Sequence, residues 1–378
     1  MFGAVILEKG TVYNPETNSF CRGTVAFEEG KMADADRVKG TPEVIDASGC
    51  IITTGLIDMH VHAAQSCSDN GTAPDPFCLP SGVTTAVDAG TTGFANFEAF
   101  YRNEIVHSFT DVRACLHLSP AGMTTWVTVE DGNPRLYRPE EMRKLFQKYP
   151  GVLVGVKTRA SRNYLDSCSD KREALQEALS IAGQLKVPLV VHVNDPAIPM
   201  GELADMLRPG DVFCHMYQNM GETILDDRGE IRPQLIRAGK RGVLFDACNG
   251  RGNFSFKIAL PGTEAGFWPG IISSDITIAT RYRNPVCSLP HVMSKFCNMG
   301  MPLEQVFRSV TAAPAGFIKE PEKASLKVGT TADIAVFRLK HVPVTFRDMF
   351  GGAMEGDRML IPQMTVREGE ILYRQVDF

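Results

Sequence analysis

The chain reads as an α/β protein: a distorted TIM (β/α)8 barrel with a small composite β-sandwich formed by both chain ends. Three observations predict this. From residue 54 to 324, short apolar strands alternate with helical stretches, the mark of a parallel βα fold. Eight such strands in about 270 residues match the count and size of a TIM barrel. The flanking segments, 1–53 and 325–378, are β-like and too short to fold alone, so they are expected to pair with each other. At 378 residues the chain is long for one core and suits a large domain plus a smaller one.

In the N-terminal segment the clearest runs are Ala4-Val5-Ile6-Leu7, Thr24-Val25-Ala26-Phe27 and Val44-Ile45-Asp46-Ala47, with Asn14-Pro15 and Glu29-Gly30 as turns. The first barrel strand is Gly55-Leu56-Ile57-Asp58-Met59-His60-Val61-His62. Alternate strand residues share a face, so Asp58, His60 and His62 are expected on one side and Ile57, Met59 and Val61 on the other. The next strands are Val83–Asp88, Val112–His117, Val152–Lys157, Pro188–His192, Asp211–His215, Gly242–Asp246 and Ile271–Asp275. Helical stretches such as Lys171 to Leu185 separate them. Beyond Ser325 the best strands are Ala332–Phe337 and Gly369–Tyr373.

Composition narrows the function. Hydrophobic residues are 44%, charged residues 22% and the net charge is −5, an ordinary globular balance with no basic block, so no nucleic-acid partner is expected. The N-terminus lacks a basic leader and meets Glu8 and Lys9 early, and no apolar run reaches the roughly 18 residues that span a membrane. Ten cysteines are scattered without a CxxC pair, which suits free thiols in a reducing cytosol. The expectation is a cytoplasmic protein with a small-molecule substrate, no membrane partner, and edges that leave room for a homo-oligomer.

The chemistry sits at the strand ends. The first strand ends in His60 and His62, the fourth in Lys157, the fifth in His192, the sixth in His215 and the eighth in Asp275. In a TIM barrel these ends form the active-site rim. A histidine after a strand is commonly structural, Lys157 can be a rim charge and Asp275 an N-cap; the joint placement points to metal. His60, His62 and Asp275 can hold one ion, and His192 and His215 a second. No carboxylate ends the fourth strand to bridge them; Lys157 stands there. A lysine deprotonated by burial and neighbouring cations reacts with carbon dioxide to give a carbamate, an anion with two oxygens that can span two ions. The alternative is a mononuclear site with Lys157 as a charge partner for substrate. Two divalent ions, expected to be zinc, would make hydroxide available near neutral pH, and Asp275 would serve as general base and then acid. That is hydrolysis of an amide, an ester or a cyclic amide, with a phosphoester ranked lower.

These residues, together with Lys327-Val328-Gly329-Thr330-Thr331-Ala332-Asp333-Ile334-Ala335-Val336-Phe337, resemble the amidohydrolase superfamily across nearly the whole chain. The resemblance implies the barrel, the composite sandwich and a binuclear centre with a carboxylated lysine. Gly82–Gly90, Gly155-Val156-Lys157-Thr158-Arg159, and the run from Ser274-Asp275 through Leu289-Pro290 to Met293-Ser294-Lys295-Phe296 look most like its deacetylase and dihydroorotase-like subgroup. One departure stands out. Where that subgroup usually carries a Gly-His-Gly-like turn after strand seven, this chain has Ala247-Cys248-Asn249-Gly250. Asn249 can still donate to a carbonyl.

Around the metal ligands, Arg159 is a candidate clamp for a substrate carboxylate or a plain rim salt bridge. His117, ending strand three, is a candidate pocket residue. Asp88 either orients a ligand or caps the next turn. The loop from Ala63 to Pro80 is placed to cover the site, with Cys67 and Cys78 given no metal role. The preferred reaction is deacylation of a small, perhaps anionic substrate. Ring opening of a dihydroorotase or hydantoinase kind ranks second, because no basic residue beside Arg159 is placed to hold a ring carboxylate. A non-catalytic scaffold is the reading from another class; it would be expected to have lost ligands, and none is missing here.

Overall fold

The computed structural model describes residues 3–378. Five strands open the chain: β1 (Val5–Asn14), β2 (Ser19–Glu28), β3 (Lys31–Ala33), β4 (Glu43–Asp46) and β5 (Cys50–Thr54). Seven parallel strands follow: β6 (Leu56–Val61), β7 (Val83–Asp88), β8 (Asp111–His117), β9 (Leu153–Arg159), β10 (Leu189–His192), β11 (Val212–Cys214) and β12 (Leu244–Asp246). The chain closes with β13 (Ile334–Arg347), β14 (Ala353–Arg367) and β15 (Glu370–Arg374).

Strands from both chain ends join in one eight-stranded sheet. Its order is β15-β14-β13-β5-β1-β2-β3, with β4 on β1. The seam is the antiparallel pairing of β13 with β5, Ile334 opposite Thr54. The sheet curls until Met32 on β3 exchanges backbone hydrogen bonds with the Gly329–Thr330 turn that leads into β13. Val5, Leu7, Phe27, Met32, Ile52, Ile334, Val336 and Val366 fill the curl. Neither end has enough apolar surface for a core alone, so the partner segment completes it.

The fold is a distorted TIM barrel. Its seven strands run in sequence order from β6 to β12. The expected eighth strand, Ile271 to Asp275, is not a regular strand; single bridges join Asp246 to Ile271 and Val61 to Ile276. Backbone bonds from Ala247 to Ile271 and from Asp275 to His60 still close the ring. The left-handed φ of 52° at Asp275 explains the break, because a strand cannot continue through that conformation.

Ile57, Met59, Val87, Cys115, Val190, Val212 and Cys214, from strands around the ring, pack together as the barrel's interior. The expected apolar face of β6 is split. Ile57 and Met59 join this interior, while Val61 joins the larger cluster shared with the helices. A register shift between Asp58 and Val61 breaks the alternation there.

The long hairpin β13–β14 has no counterpart among the expected strands beyond Phe337. Pro362 interrupts the ladder, and the structure places it at a bulge opposite Phe337, where a missing N–H is tolerated. The turn of this hairpin carries Met349 to the barrel's mouth.

Candidate metal centre and active site

The strand ends bring all six expected ligands together. His60, His62, Lys157 and Asp275 line one cavity of about 450 Å3 with His192, and His215 adjoins His192. His60, His62 and Asp275 each offer a ligand atom within 4.8 Å of the others. His62 Nε2 lies 3.0 Å from Asp275 Oδ1, and His60 Nε2 lies 3.6 Å from it. Lys157 Nζ is 3.4 Å from His60 Nε2, and His215 Nε2 is 2.9 Å from His192 Nδ1. A tetrahedral ion with bonds of about 2.1 Å holds its ligand atoms about 3.4 Å apart, so the donor set fits a metal.

The surrounding bonds fix the imidazoles. Asp88 accepts from Ala63 N–H and Gly90 N–H and from the Thr91 hydroxyl at 2.7 Å. With its only proton committed to Asp88, Thr91 Oγ1 accepts from His62 Nδ1 at 2.8 Å. His62 Nε2 is therefore aimed at Asp275. His215 Nδ1 donates in the same way to the Cys248 carbonyl at 2.8 Å, which bares its Nε2. Both roles considered for Asp88 hold: it caps the turn after β7 and orients His62 through Thr91.

Burial sets the charge states. It pushes His60 and His192 well below the usual histidine range, helped by neighbouring positive groups, and takes His215 down to about 4. Neutral imidazoles are what a metal requires. Burial would raise Asp275, but the His62 hydrogen bond and the charges of His215, His62 and Lys157 hold it below the ordinary carboxylate value. Deeper in the barrel, burial takes Asp58 and Asp246 up to about 7. Asp58 accepts from Ser274 and Asp246 from Ser273, and these bonds tie the irregular eighth segment to β6 and β12.

Backbone conformation is unusual at the same place. His215, Cys248 and Asp275 all have left-handed φ, at 62°, 39° and 52°. Strain of this kind concentrates at functional sites. Gly90 supplies the clearance: a Cβ there would stand 2.6 Å from the Lys157 Cβ.

Comparisons with known proteins agree with this geometry. A protein of Brucella anthropi named a deacetylase is 31% identical over 334 residues, 87% of this chain and 82% of its own length. The chain belongs to the amidohydrolase superfamily. Two solved structures share the fold at a TM-score of 0.89. One is of an adenine deaminase, 27% identical, with 99% of this chain and 100% of that one covered. The other is of a dihydroorotase, 28% identical, with 99% and 98% covered. A scan of protein-family models finds no match. Hydrolysis is the chemistry of this superfamily, so the chain is a hydrolytic enzyme.

The remaining expected site residues of this amidohydrolase are placed unequally. Arg159 is on the cavity wall, where it pairs with Glu130 at 2.9 Å, so its charge is already matched. Asn249 and His117 are fully buried and are not among the cavity-lining residues. Asn249 accepts from Lys295 Nζ at 2.6 Å and donates to the carbonyls of Gly250 and Pro285. It pins the turn after β12 and has no amide hydrogen aimed at the cavity. His117 Nδ1 accepts from the Ser119 backbone, and its ring packs edge-on against Tyr164.

Sequence reading missed several wall residues: Met123, Trp126, Asn194, Arg251, Asn253 and Met349. Asn253 Nδ2 donates to Asp275 Oδ2 at 3.1 Å. Arg251 has no ion-pair partner among the described residues. It follows strand seven by five residues, so the strand-end rule that found the ligands would have reached it. The loop from Ala63 to Pro80 contributes Asn70 to the cavity, and its Asp69 holds Thr125 and the Trp126 N–H of the opposite loop. All ten cysteines are free. No helix among the described residues is long and apolar enough to cross a membrane.

Proposed function

We propose that this amidohydrolase removes an acyl group from a small anionic amide or ester at a binuclear, zinc-type centre. The observation that carries the reading is the convergence of three ligand atoms, with His62 Nε2 at 3.0 Å and His60 Nε2 at 3.6 Å from Asp275 Oδ1. That spacing is the one ligand atoms keep around a single tetrahedral ion. His60, His62 and Asp275 would hold one ion and His192 and His215 the other. Lys157 would bridge them after its neutral amine nitrogen bonds carbon dioxide and gives up one proton, so that the side chain ends in two oxygens sharing one negative charge. When bound, the two ions supply a water acidified towards neutral pH and polarise the substrate carbonyl.

Asp275 would serve as the base that takes a proton from the attacking water and as the acid that returns it to the leaving group. Asn253 keeps Asp275 turned towards the cavity through the bond to Oδ2. Arg251 offers a charge for a substrate carboxylate, because Arg159 is paired with Glu130. Met123, Trp126 and Met349 give the cavity an apolar wall that limits water around the scissile bond.

A cyclic-amide opening is the second reading, favoured by Arg251 as the basic group a ring carboxylate would need. A panel of N-acyl amino acids, acyl esters and dihydroorotate, assayed with metal-loaded enzyme, separates the two. Turnover of the acyclic acyl compounds is expected; activity confined to dihydroorotate would overturn the first reading. The protein is taken to act in the cytoplasm.

A further inference from the structure

The turn Ala247-Cys248-Asn249-Gly250 leaves a thiol at the centre that the hydrolytic scheme does not use. We infer that Cys248 is a sulfur ligand to the ion on the His192–His215 side. The inference rests on the metal reading above.

Cys248, His215 and Asp275 each place a ligand atom within 4.8 Å of the other two, and all three are buried. Cys248 Sγ stands 3.8 Å from His215 Nε2. An ion bonded to sulfur at about 2.3 Å and to nitrogen at about 2.1 Å sets those donors about 3.6 Å apart. The thiol and the histidine are oriented by one device. His215 Nδ1 donates to the Cys248 carbonyl, which turns the bared Nε2 towards the side occupied by Sγ. The Cys248 N–H is fixed in turn by Asp246 Oδ1 at 2.9 Å. The left-handed φ of 39° at Cys248 belongs to a conformation that a branched or bulky side chain tolerates poorly and that a packing role alone does not require.

His60, Cys214, Asp246 and Cys248 form a second group of close donors. It is better explained as support than as another ion site. Asp246 already accepts from Cys248 N–H and, through both oxygens, from Ser273. In the metal-free protein Cys248 is a neutral thiol. Ligation exchanges its S–H bond for a sulfur–metal bond and releases one proton to solvent, since a coordinating thiol is deprotonated outright. A sulfur donor would favour thiophilic ions such as zinc over magnesium or calcium.

Cobalt(II) reports the ligand set directly. The metal-free full chain is loaded with cobalt, bound metal is counted, and the absorption spectrum is recorded for the wild type, Cys248→Ser and Cys214→Ser. The expected result is a near-ultraviolet sulfur-to-cobalt charge-transfer band beside the visible ligand-field bands. Cys248→Ser should lose the charge-transfer band and keep the ligand-field bands; Cys214→Ser should keep both. Wild-type protein that binds two cobalt ions without a charge-transfer band overturns the inference and leaves the metal reading standing. Protein that binds no cobalt overturns both. If Cys248→Ser fails to fold, the wild-type spectrum and Cys214→Ser still decide: a band lost with Cys214 assigns it away from Cys248.

Discussion

His62 Nε2 and Asp275 Oδ1 face each other at 3.0 Å. The arrangement is imposed from behind, by Asp88 through the Thr91 hydroxyl. Thr91→Val keeps the volume and removes the acceptor for His62 Nδ1–H. The ring is then free to take the other tautomer, and metal affinity is expected to fall about 10- to 100-fold. Competition against a chromophoric chelator measures this. Affinity equal to wild type would mean that the tautomer is set elsewhere.

Arg251 is the cavity cation without a protein partner among the described residues, whereas Arg159 is matched by Glu130. Arg251→Ala should raise KM for a carboxylate-bearing substrate about 10- to 100-fold, the value of a charge-assisted hydrogen bond. A neutral analogue of the same size should be unaffected. Equal losses on both substrates would show that Arg251 shapes the loop and does not read charge.

Lys295 is fully buried, donates to Asn249 and lies 4.3 Å from the centre of the Phe254 ring. Burial lowers it from 10.5 to about 7. Between those values the unfolded chain binds one proton more than the folded one, so this group makes stability rise with pH across that window, and the contribution is lost as pH falls to about 7. The slope from one such group is at most about 1.4 kcal/mol per pH unit. Urea unfolding at pH 7 and pH 9 should therefore show a steeper rise for wild type than for Lys295→Met. Parallel slopes would place the titration on other groups.

The candidate ligands were legible because each lies at or near the end of a short apolar run bounded by turns, and such runs read well as strands. The same rule placed His60, His62, Lys157, His192, His215 and Asp275 in one neighbourhood without any contact information. The eighth strand was expected to be regular; left-handed backbone at Asp275 is a tertiary demand that the apolar run Ile271-Ile272 does not announce. Strand β14 was hidden by Pro362 and by alternating charges such as Glu355, Asp357 and Arg358 on its exposed portion. Asn249 was expected at substrate because it follows a strand, but its amide is held by a lysine 46 residues away, a pairing without a local signal. The tautomers of His62 and His215 likewise depend on partners distant in sequence, Thr91 and the Cys248 carbonyl.

The central claim is that Lys157 makes the centre binuclear, and metal counting on Lys157→Ala tests it most directly. Wild-type protein, purified and dialysed without chelator, should hold two divalent ions per chain, and Lys157→Ala should hold one or none while His60, His62, His192, His215 and Asp275 remain. Two tightly bound ions in Lys157→Ala would contradict the claim.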